Sequence, residues 1–202
     1  MEITNEDNMK LMARYPDNHF DLAIVDPPYG INVKTRVFDD GKKWDNEIPT
    51  KEYFKELFRV SKNQIIWGAN YFLEHLGSAD GFIVWDKMNT DRGGKWTCEL
   101  AWSSISNNSY IIKQKRPGVN GFFVVDCKRI HPTQKPVKLY ENVLMNYAKE
   151  GDKILDTHLG SGSIALACHN RGFNLTACEL DTEYYNAAIK RLKQHQQQLT
   201  MF

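Results

Sequence analysis

The chain alternates short apolar runs with amphipathic stretches, and its most telling run is Phe20-Asp21-Leu22-Ala23-Ile24-Val25, which stops at Asp26-Pro27-Pro28. Apolar residues fall on both sides of this run, which predicts a central strand of parallel type. A short strand over residues 2–4 and a helix over 8–14 precede it. Thr50 can cap a helix over 51–61, whose face carries Tyr53, Phe54, Leu57 and Phe58. Further strands are predicted at 64–67, 81–85 and 98–102, with a weaker one at 110–112 and a short apolar run at 121–125. Val137, Tyr140, Leu144 and Tyr147 keep helical spacing across a helix over 137–148. Then come a strand over 153–155, a Gly/Ser loop over 156–163, a helix over 164–170 stopped by Gly172, a strand over 175–178 and a helix over 182–194. That order is a βαβα unit, which requires a parallel pair with a right-handed crossover. Residues 31–48 show no periodicity and are expected to form a mobile loop.

Composition narrows the picture. With 202 residues, 42% hydrophobic and 12% aromatic, the chain suits one domain with a real core and is not disordered throughout. No apolar run is long enough to span a bilayer, so no membrane role is expected. Met1 leads into Glu2, Glu6 and Asp7 with neither a basic start nor an apolar stretch, so no secretory signal is expected. Cys98, Cys127, Cys168 and Cys178 lack C-x-x-C spacing; they read as reduced thiols of a cytoplasmic protein, with no metal site.

The net charge of +1 is uneven. Residues 87–135 hold nine bases and three acids, whereas the remainder holds 17 bases and 22 acids. A basic central segment is the footprint of a polyanion binder, although a merely solvated basic face would look the same.

Two motifs carry chemistry. Asp156-Thr157-His158-Leu159-Gly160-Ser161-Gly162-Ser163 follows a predicted strand and opens a helix, where glycines let a ligand approach the backbone. Glu179 ends the next strand, where a carboxylate can accept both hydroxyls of a ribose. Together they define a nucleoside-cofactor site. Gly160-x-Gly162-x-x-Ala165 also fits a dinucleotide oxidoreductase, but the loop comes about forty residues before the last one given, without a second mononucleotide half. The second motif is Asp26-Pro27-Pro28-Tyr29-Gly30. Its prolines hold the chain extended, so the Asp26 carboxylate and the Pro27 carbonyl can aim two acceptors at one –NH₂ group. Tyr29 beside them can stack on a base swung out of a helix.

In this order, Asp26-Pro27-Pro28-Tyr29, His131-Pro132-Thr133-Gln134-Lys135-Pro136 and Asp156-x-x-x-Gly160-Ser161-Gly162-Ser163 resemble the amino-methyltransferases that modify DNA at adenine N6 or cytosine N4, in their β-type circular arrangement. The resemblance spans nearly the whole chain. It implies an α/β, doubly wound, mostly parallel seven-stranded Rossmann-like methyltransferase sheet with helices on both faces, forming one domain over 1–202 with 87–130 as a small basic recognition insertion.

The resemblance further implies S-adenosylmethionine as cofactor and double-stranded DNA as partner. Asp26, Pro27, Pro28 and Tyr29 would be catalytic, and the Asp form is the one usual for adenine N6. Cytosine N4, RNA and a silent DNA-binding subunit are the alternatives. Asp26, Asp156, His158, Gly160, Ser161, Gly162 and Glu179 would line the cofactor, with Thr133 and Lys135 at its methionine end. Asp7 would accept the cofactor's adenine amine, or else simply cap the following helix. In that case the N-terminal segment must lie beside the 175–178 strand.

Thr157-His158 replaces the Pro-Phe common in the family; His158 is expected to be packed or hydrogen-bonded, not to transfer protons. Lys34, Arg36, Lys42 and Lys43, with Lys87, Arg92, Lys95, Lys113, Lys115 and Arg116, are expected on DNA phosphates. Trp67-Gly68-Ala69-Asn70-Tyr71 fits either a base-pocket wall or core. Gln198-Leu199-Thr200-Met201-Phe202 resembles the peptide by which bacterial proteins dock on the replication sliding clamp, although chance gives such tails too. A homodimer is left open.

Overall fold

The apolar runs named above become a sheet because each must bury both of its faces, and the amphipathic stretches supply the covers. The computed structural model describes residues 1–33, 41–79, 81–88, 97–105, 109–115 and 129–199. In chain order the elements are β1 (Glu2–Thr4), α1 (Asn8–Ala13), β2 (Phe20–Val25), α2 (Lys51–Val60), β3 (Ser61–Trp67), a 3-10 turn (Ala69–Tyr71), α3 (Leu73–Leu76), β4 (Gly81–Asp86), β5 (Cys98–Ser103), β6 (Tyr110–Lys113), α4 (Val137–Tyr147), β7 (Lys153–Asp156), α5 (Ser163–Arg171), β8 (Asn174–Cys178) and α6 (Thr182–Leu199).

The sheet runs β1-β8-β7-β2-β3-β5-β4-β6. Eight strands are described, one more than the seven expected; the weak 110–112 run becomes β6, which pairs parallel to β4 at the edge. β5 alone runs antiparallel to its neighbours, pairing with β3 and β4. The two covers separate by strand periodicity. Leu22 and Ile24 face a cluster with Ile65, Trp67, Leu139, Val143, Ile164 and Leu166, so α4 and α5 lie on that side. Ala23 and Val25 face the other cluster with Leu11, Met12, Phe54, Leu57 and Ile66, so α1 and α2 cover the opposite face. This is the doubly wound arrangement read from the sequence.

Two registers place the site. β2 pairs with β7, Leu22 with Ile154 and Ala23 with Leu155. β1 pairs with β8, Ile3 with Ala177 and Thr4 with Cys178, which sets the N-terminal segment beside strand 174–178. Asp26, Asp156 and Glu179 therefore stand at the carboxyl ends of three consecutive strands. In open α/β sheets ligands bind at that edge.

Of the segment 31–48, the described residues form neither helix nor strand, as a loop requires, and Asp45 and Lys42 bond it to the rest of the protein (below). Lys34, Arg36, Arg92, Lys95, Arg116, the 121–125 run, Cys127 and residues 200–202 lie outside the described residues. Of the clamp-like tail, Gln198 and Leu199 are the end of α6. No helix among the described residues is long and apolar enough to cross a membrane. Nor is there, among them, a group of His, Cys, Asp and Glu able to hold a metal ion.

Candidate active site

The carboxyl edge of the sheet opens into a cavity of ≈ 1120 Å³ that reaches from Asp7 and Glu179 to Asp26 and Tyr29. A site for one small ligand typically measures about 300–1,000 Å³, so this chamber has room for a nucleoside and a second planar group together.

At one end, the Asp-Pro-Pro-Tyr motif leaves β2 and is fastened from outside its own sequence. Asp45, 4% exposed, accepts from the backbone N–H of Tyr29 (2.7 Å) and Gly30 (3.1 Å) through Oδ1, and from Val33 N–H (2.9 Å) through Oδ2. Sequence reading missed Asp45, a lone acid in an aperiodic polar stretch. Tyr29 stacks on Tyr71 at 5.0 Å and 16°, with Phe72 edge-on at 6.0 Å. Gly68 lets the ring in: it sits at φ +79°, and a Cβ there would come within 2.6 Å of Tyr29 Cδ1. Of the 67–71 segment, Trp67 and Ala69 are core, whereas Gly68, Asn70 and Tyr71 line the cavity.

Asp26 lines the cavity and keeps 17% side-chain exposure. Its Oδ1 accepts from Tyr29 Oη–H at 2.6 Å, and its Oδ2 accepts from Lys135 Nζ at 2.5 Å. Each oxygen retains a further lone pair for an incoming N–H. Burial raises the Asp26 carboxyl above its ordinary value, and the Lys135 ammonium opposes that rise.

Lys135, expected at the methionine end of the cofactor, lines the cavity beside Asp26. Its ammonium lies among Asp26, Tyr29 Oη (3.2 Å) and Glu99 Oε2 (3.0 Å), at the catalytic motif. Lys87 is a correction: it is 1% exposed and pairs with Glu99 Oε1 at 2.6 Å, so its charge is spent inside the protein and not offered to a phosphate. Burial would raise the Glu99 carboxyl, but the two ammonium groups outweigh it and bring it down to about 2.

The other end is built on the βαβα unit. Glu179 accepts from Gly160 N–H at 2.7 Å and from Asp181 N–H at 2.9 Å, one bond per oxygen, so each can still accept a hydroxyl. Asp7 caps α1 by accepting from Met9 and Lys10 N–H through Oδ1 alone. Its Oδ2 has no partner among the described residues, so the helix cap and a ligand contact are compatible. Leu180, 70% exposed, adds an apolar wall.

Asp156 is 3% exposed, accepts from His158 N–H at 3.0 Å, and is pushed up to about 8 by burial. Burial lowers His158 to about 3, and its ring bonds to Asn8 Nδ2 (3.1 Å) and Thr157 Oγ1 (3.0 Å). It is a neutral, hydrogen-bonded histidine. Gly162, at φ +72°, allows α6 close: a Cβ there would lie 3.1 Å from Ala188 Cβ. Ser161 bonds to Ser163 at 3.1 Å, and Ser163 Oγ–H donates to the Lys135 carbonyl at 2.7 Å, joining the cofactor-like loop to the His-Pro hexapeptide. Thr133 Oγ1 lies 3.1 Å from His131 Nδ1, and His131 packs between Trp44 (5.0 Å) and Tyr184 (4.4 Å).

Lys42 is a further correction. It pairs with Asp181 (2.7 Å) and Glu183 (2.8 Å) and sits 4.2 Å over the Tyr184 ring, strapping segment 41–48 to α6. Lys43, Lys113 and Lys115 are exposed, as a phosphate contact requires.

A doubly wound sheet with carboxylates at three adjacent strand ends and a bipartite chamber defines a nucleoside-cofactor enzyme of the α/β methyltransferase class. Comparison with known proteins sharpens this. The profile of the DNA methylase family matches residues 84–190. The type II methyltransferase M2.DpnII of Streptococcus pneumoniae is 37% identical over 96% of this chain and 90% of its own length. The type II methyltransferase M.HpaI of Haemophilus parainfluenzae is 24% identical over 91% and 71% respectively.

Among solved structures, the M1.HpyAVI–SAM complex aligns with TM-score 0.64 at 23% identity over 95% of this chain and 98% of that one. The cytosine-N4-specific PvuII DNA methyltransferase aligns with TM-score 0.66 at 14% identity over 94% and 85%. The chain belongs to the N6/N4 DNA methylase family, whose methyl donor is S-adenosylmethionine.

Proposed function

We propose that this chain methylates the exocyclic N6 amine of adenine in double-stranded DNA, on a base swung into the Asp26–Tyr29 end of the cavity. The observation that carries the reading is the Asp26 carboxylate: it borders the chamber, is fixed on both oxygens, and retains acceptor capacity for an –NH₂ group. The other end fits the cofactor. Glu179 presents two half-used carboxylate oxygens for a ribose diol, Asp7 one unpartnered oxygen for an adenine amine, and Leu180 an apolar wall. When bound there, S-adenosylmethionine supplies a methyl group already activated on a sulfonium.

The protein's part is then to position and desolvate. Asp26 accepts an N–H of the target amine and draws the nitrogen toward tetrahedral geometry, so that its lone pair is free to attack; the stacked Tyr29–Tyr71 pair forms the aromatic wall. Of the cysteines, Cys168 and Cys178 are buried and Cys98 is exposed. None of these three borders Asp26 through a described hydrogen bond, and the reading uses no covalent enzyme intermediate. Residues 87–130 serve as the recognition segment of a single domain.

The Asp form of the motif supports adenine; the PvuII likeness keeps cytosine N4 as the second reading. Nucleoside analysis of methylated DNA separates them, since N6-methyladenine and N4-methylcytosine differ in mass and retention. Asp26→Ala is expected to abolish methylation while S-adenosylmethionine binding stays nearly unchanged. Methylation at the wild-type rate in that variant would overturn the assignment.

A further inference from the structure

Asp26 ends a line of four alternating charges that runs through the protein. Lys87 meets Glu99 at 2.6 Å, Glu99 meets Lys135 at 3.0 Å, and Lys135 meets Asp26 at 2.5 Å. Lys87 and Lys135 keep 2% and 3% of their side-chain exposure, Glu99 15% and Asp26 17%. Two positive and two negative groups cancel, which is the condition under which buried charges are tolerated. The two lysines are also walled by aromatic rings: Lys87 Nζ lies 5.2 Å from Trp85, and Lys135 Nζ 5.4 Å from Trp67 and 5.6 Å from Tyr29. Such rings attract the charged form of the amine through their faces.

The line is assembled from three distant parts of the chain. Glu99 and Lys87 are brought together by the antiparallel register of β4 and β5, which pairs Trp85 with Glu99 and Asp86 with Cys98. Lys135 arrives with the His-Pro hexapeptide, whose Lys135 carbonyl is fixed by Ser163.

We propose that Lys135, held from behind by Glu99 and Lys87, is a positioning residue that keeps the Asp26 carboxylate ionised and aimed at the target amine. A protonated Asp26 would turn one acceptor into a donor and meet the amine's N–H head-on. The inference rests on the methyltransferase reading and deepens it: the hexapeptide lysine acts through Asp26, not on the cofactor. The charged and titratable groups facing Asp26 are Lys135, Glu99 from β5, Tyr29 from its own turn, and Tyr140 from α4, with Asp156 at the end of β7. Lys135 is the cation among those groups, so its removal leaves Asp26 facing only neutral or negative neighbours.

The test uses the full chain. The ¹³C carboxylate resonance of Asp26, assigned against Asp26→Asn, is titrated in the cofactor-free protein, and single-turnover methylation of unmethylated plasmid DNA is followed across pH. In Lys135→Met the Asp26 midpoint is expected to rise by about one to three pH units, because an opposite charge within hydrogen-bond reach is lost. The acid limb of the rate should rise with it, while S-adenosylmethionine affinity stays within a few-fold of wild type. Lys135→Arg should return both toward wild type.

Glu99→Gln should move the midpoint the other way, since a negative neighbour of Asp26 is gone. In the unaltered protein, the ¹⁵Nζ resonance of Lys135 should shift as Asp26 takes up its proton, a readout that needs no variant to fold. An Asp26 midpoint equal in Lys135→Met and wild type, or a Lys135 ¹⁵Nζ signal indifferent to that titration, overturns the inference while leaving the methyltransferase reading intact. That reading falls separately, if Asp26→Ala still methylates.

Discussion

At the scale of single residues, the site depends on atoms that are missing as much as on atoms present. Gly68 has no Cβ, and the Tyr29 ring occupies the space one would need. Gly68→Ala is expected to push that ring off Tyr71 and pull its hydroxyl from Asp26. Overpacking of this kind at a left-handed glycine costs roughly 1–3 kcal/mol. A drop of about tenfold or more in single-turnover methylation should accompany it, and a variant as fast and as heat-resistant as the parent would contradict this account.

Asp156 offers a test by pH. Its folded-state value of about 8 lies above that of an exposed carboxyl, so folding favours its protonated form. The resulting stability is fully present below about pH 4, where an unfolded Asp is protonated, and fades as pH climbs through about 8. The whole effect is on the order of 5 kcal/mol. Chemical denaturation of the cofactor-free protein should show stability declining across that window, and Asp156→Asn should flatten the decline.

At the scale of elements, segment 41–48 is a strap. Asp45 anchors it to the catalytic turn, Trp44 packs on His131, and Lys42 reaches the first turn of α6. Lys42 keeps 20% exposure and Glu183 84%, so the pairs are partly screened and worth only about 0.5–1 kcal/mol. Lys42→Ala should therefore leave the melting temperature nearly unchanged but speed S-adenosylmethionine release by several-fold, as stopped-flow would register. Equal release rates would remove the strap's role.

The strap also marks where sequence reading gives out. Strand 20–25 and the βαβα unit were legible because apolar periodicity is written locally, and the Asp-Pro-Pro-Tyr and Gly-loop motifs sit at their ends. Asp45 was not, since an acid in a polar stretch reveals nothing about three backbone amides twelve to sixteen residues back. Lys87 and Glu99 read as members of a basic segment; only the β4–β5 register shows that they neutralise one another. The short helix Leu73–Leu76 passed unseen because four residues are too few to display a period.

At the scale of the molecule, the basic segment divides into charges turned inward and charges left for solvent. Lys87 belongs to the first group, and Lys113 and Lys115 to the second; outside that segment, Lys42 is likewise turned inward and Lys43 exposed. DNA affinity should fall steeply with added salt, and changing Lys113 or Lys115 to Ala should each lower the salt slope by about 1. Lys87→Ala should leave the slope unaltered. Fluorescence anisotropy over a series of salt concentrations distinguishes the two groups, and a flat response throughout would remove the phosphate assignment.

The pairing of β2 with β7 reaches further than the site. Leu22 must find Ile154, about 130 residues later, and β1 must find β8 over a still longer separation. That side of the sheet is thus stitched from segments far apart along the polypeptide. A ribosome that has delivered everything up to α4 has made the catalytic turn but not the neighbour that shields one side of its strand. Pairing of β2 must therefore wait until β7 has been made, and until then the β2 ribbon, greasy on both faces, exposes the kind of surface that chaperones bind.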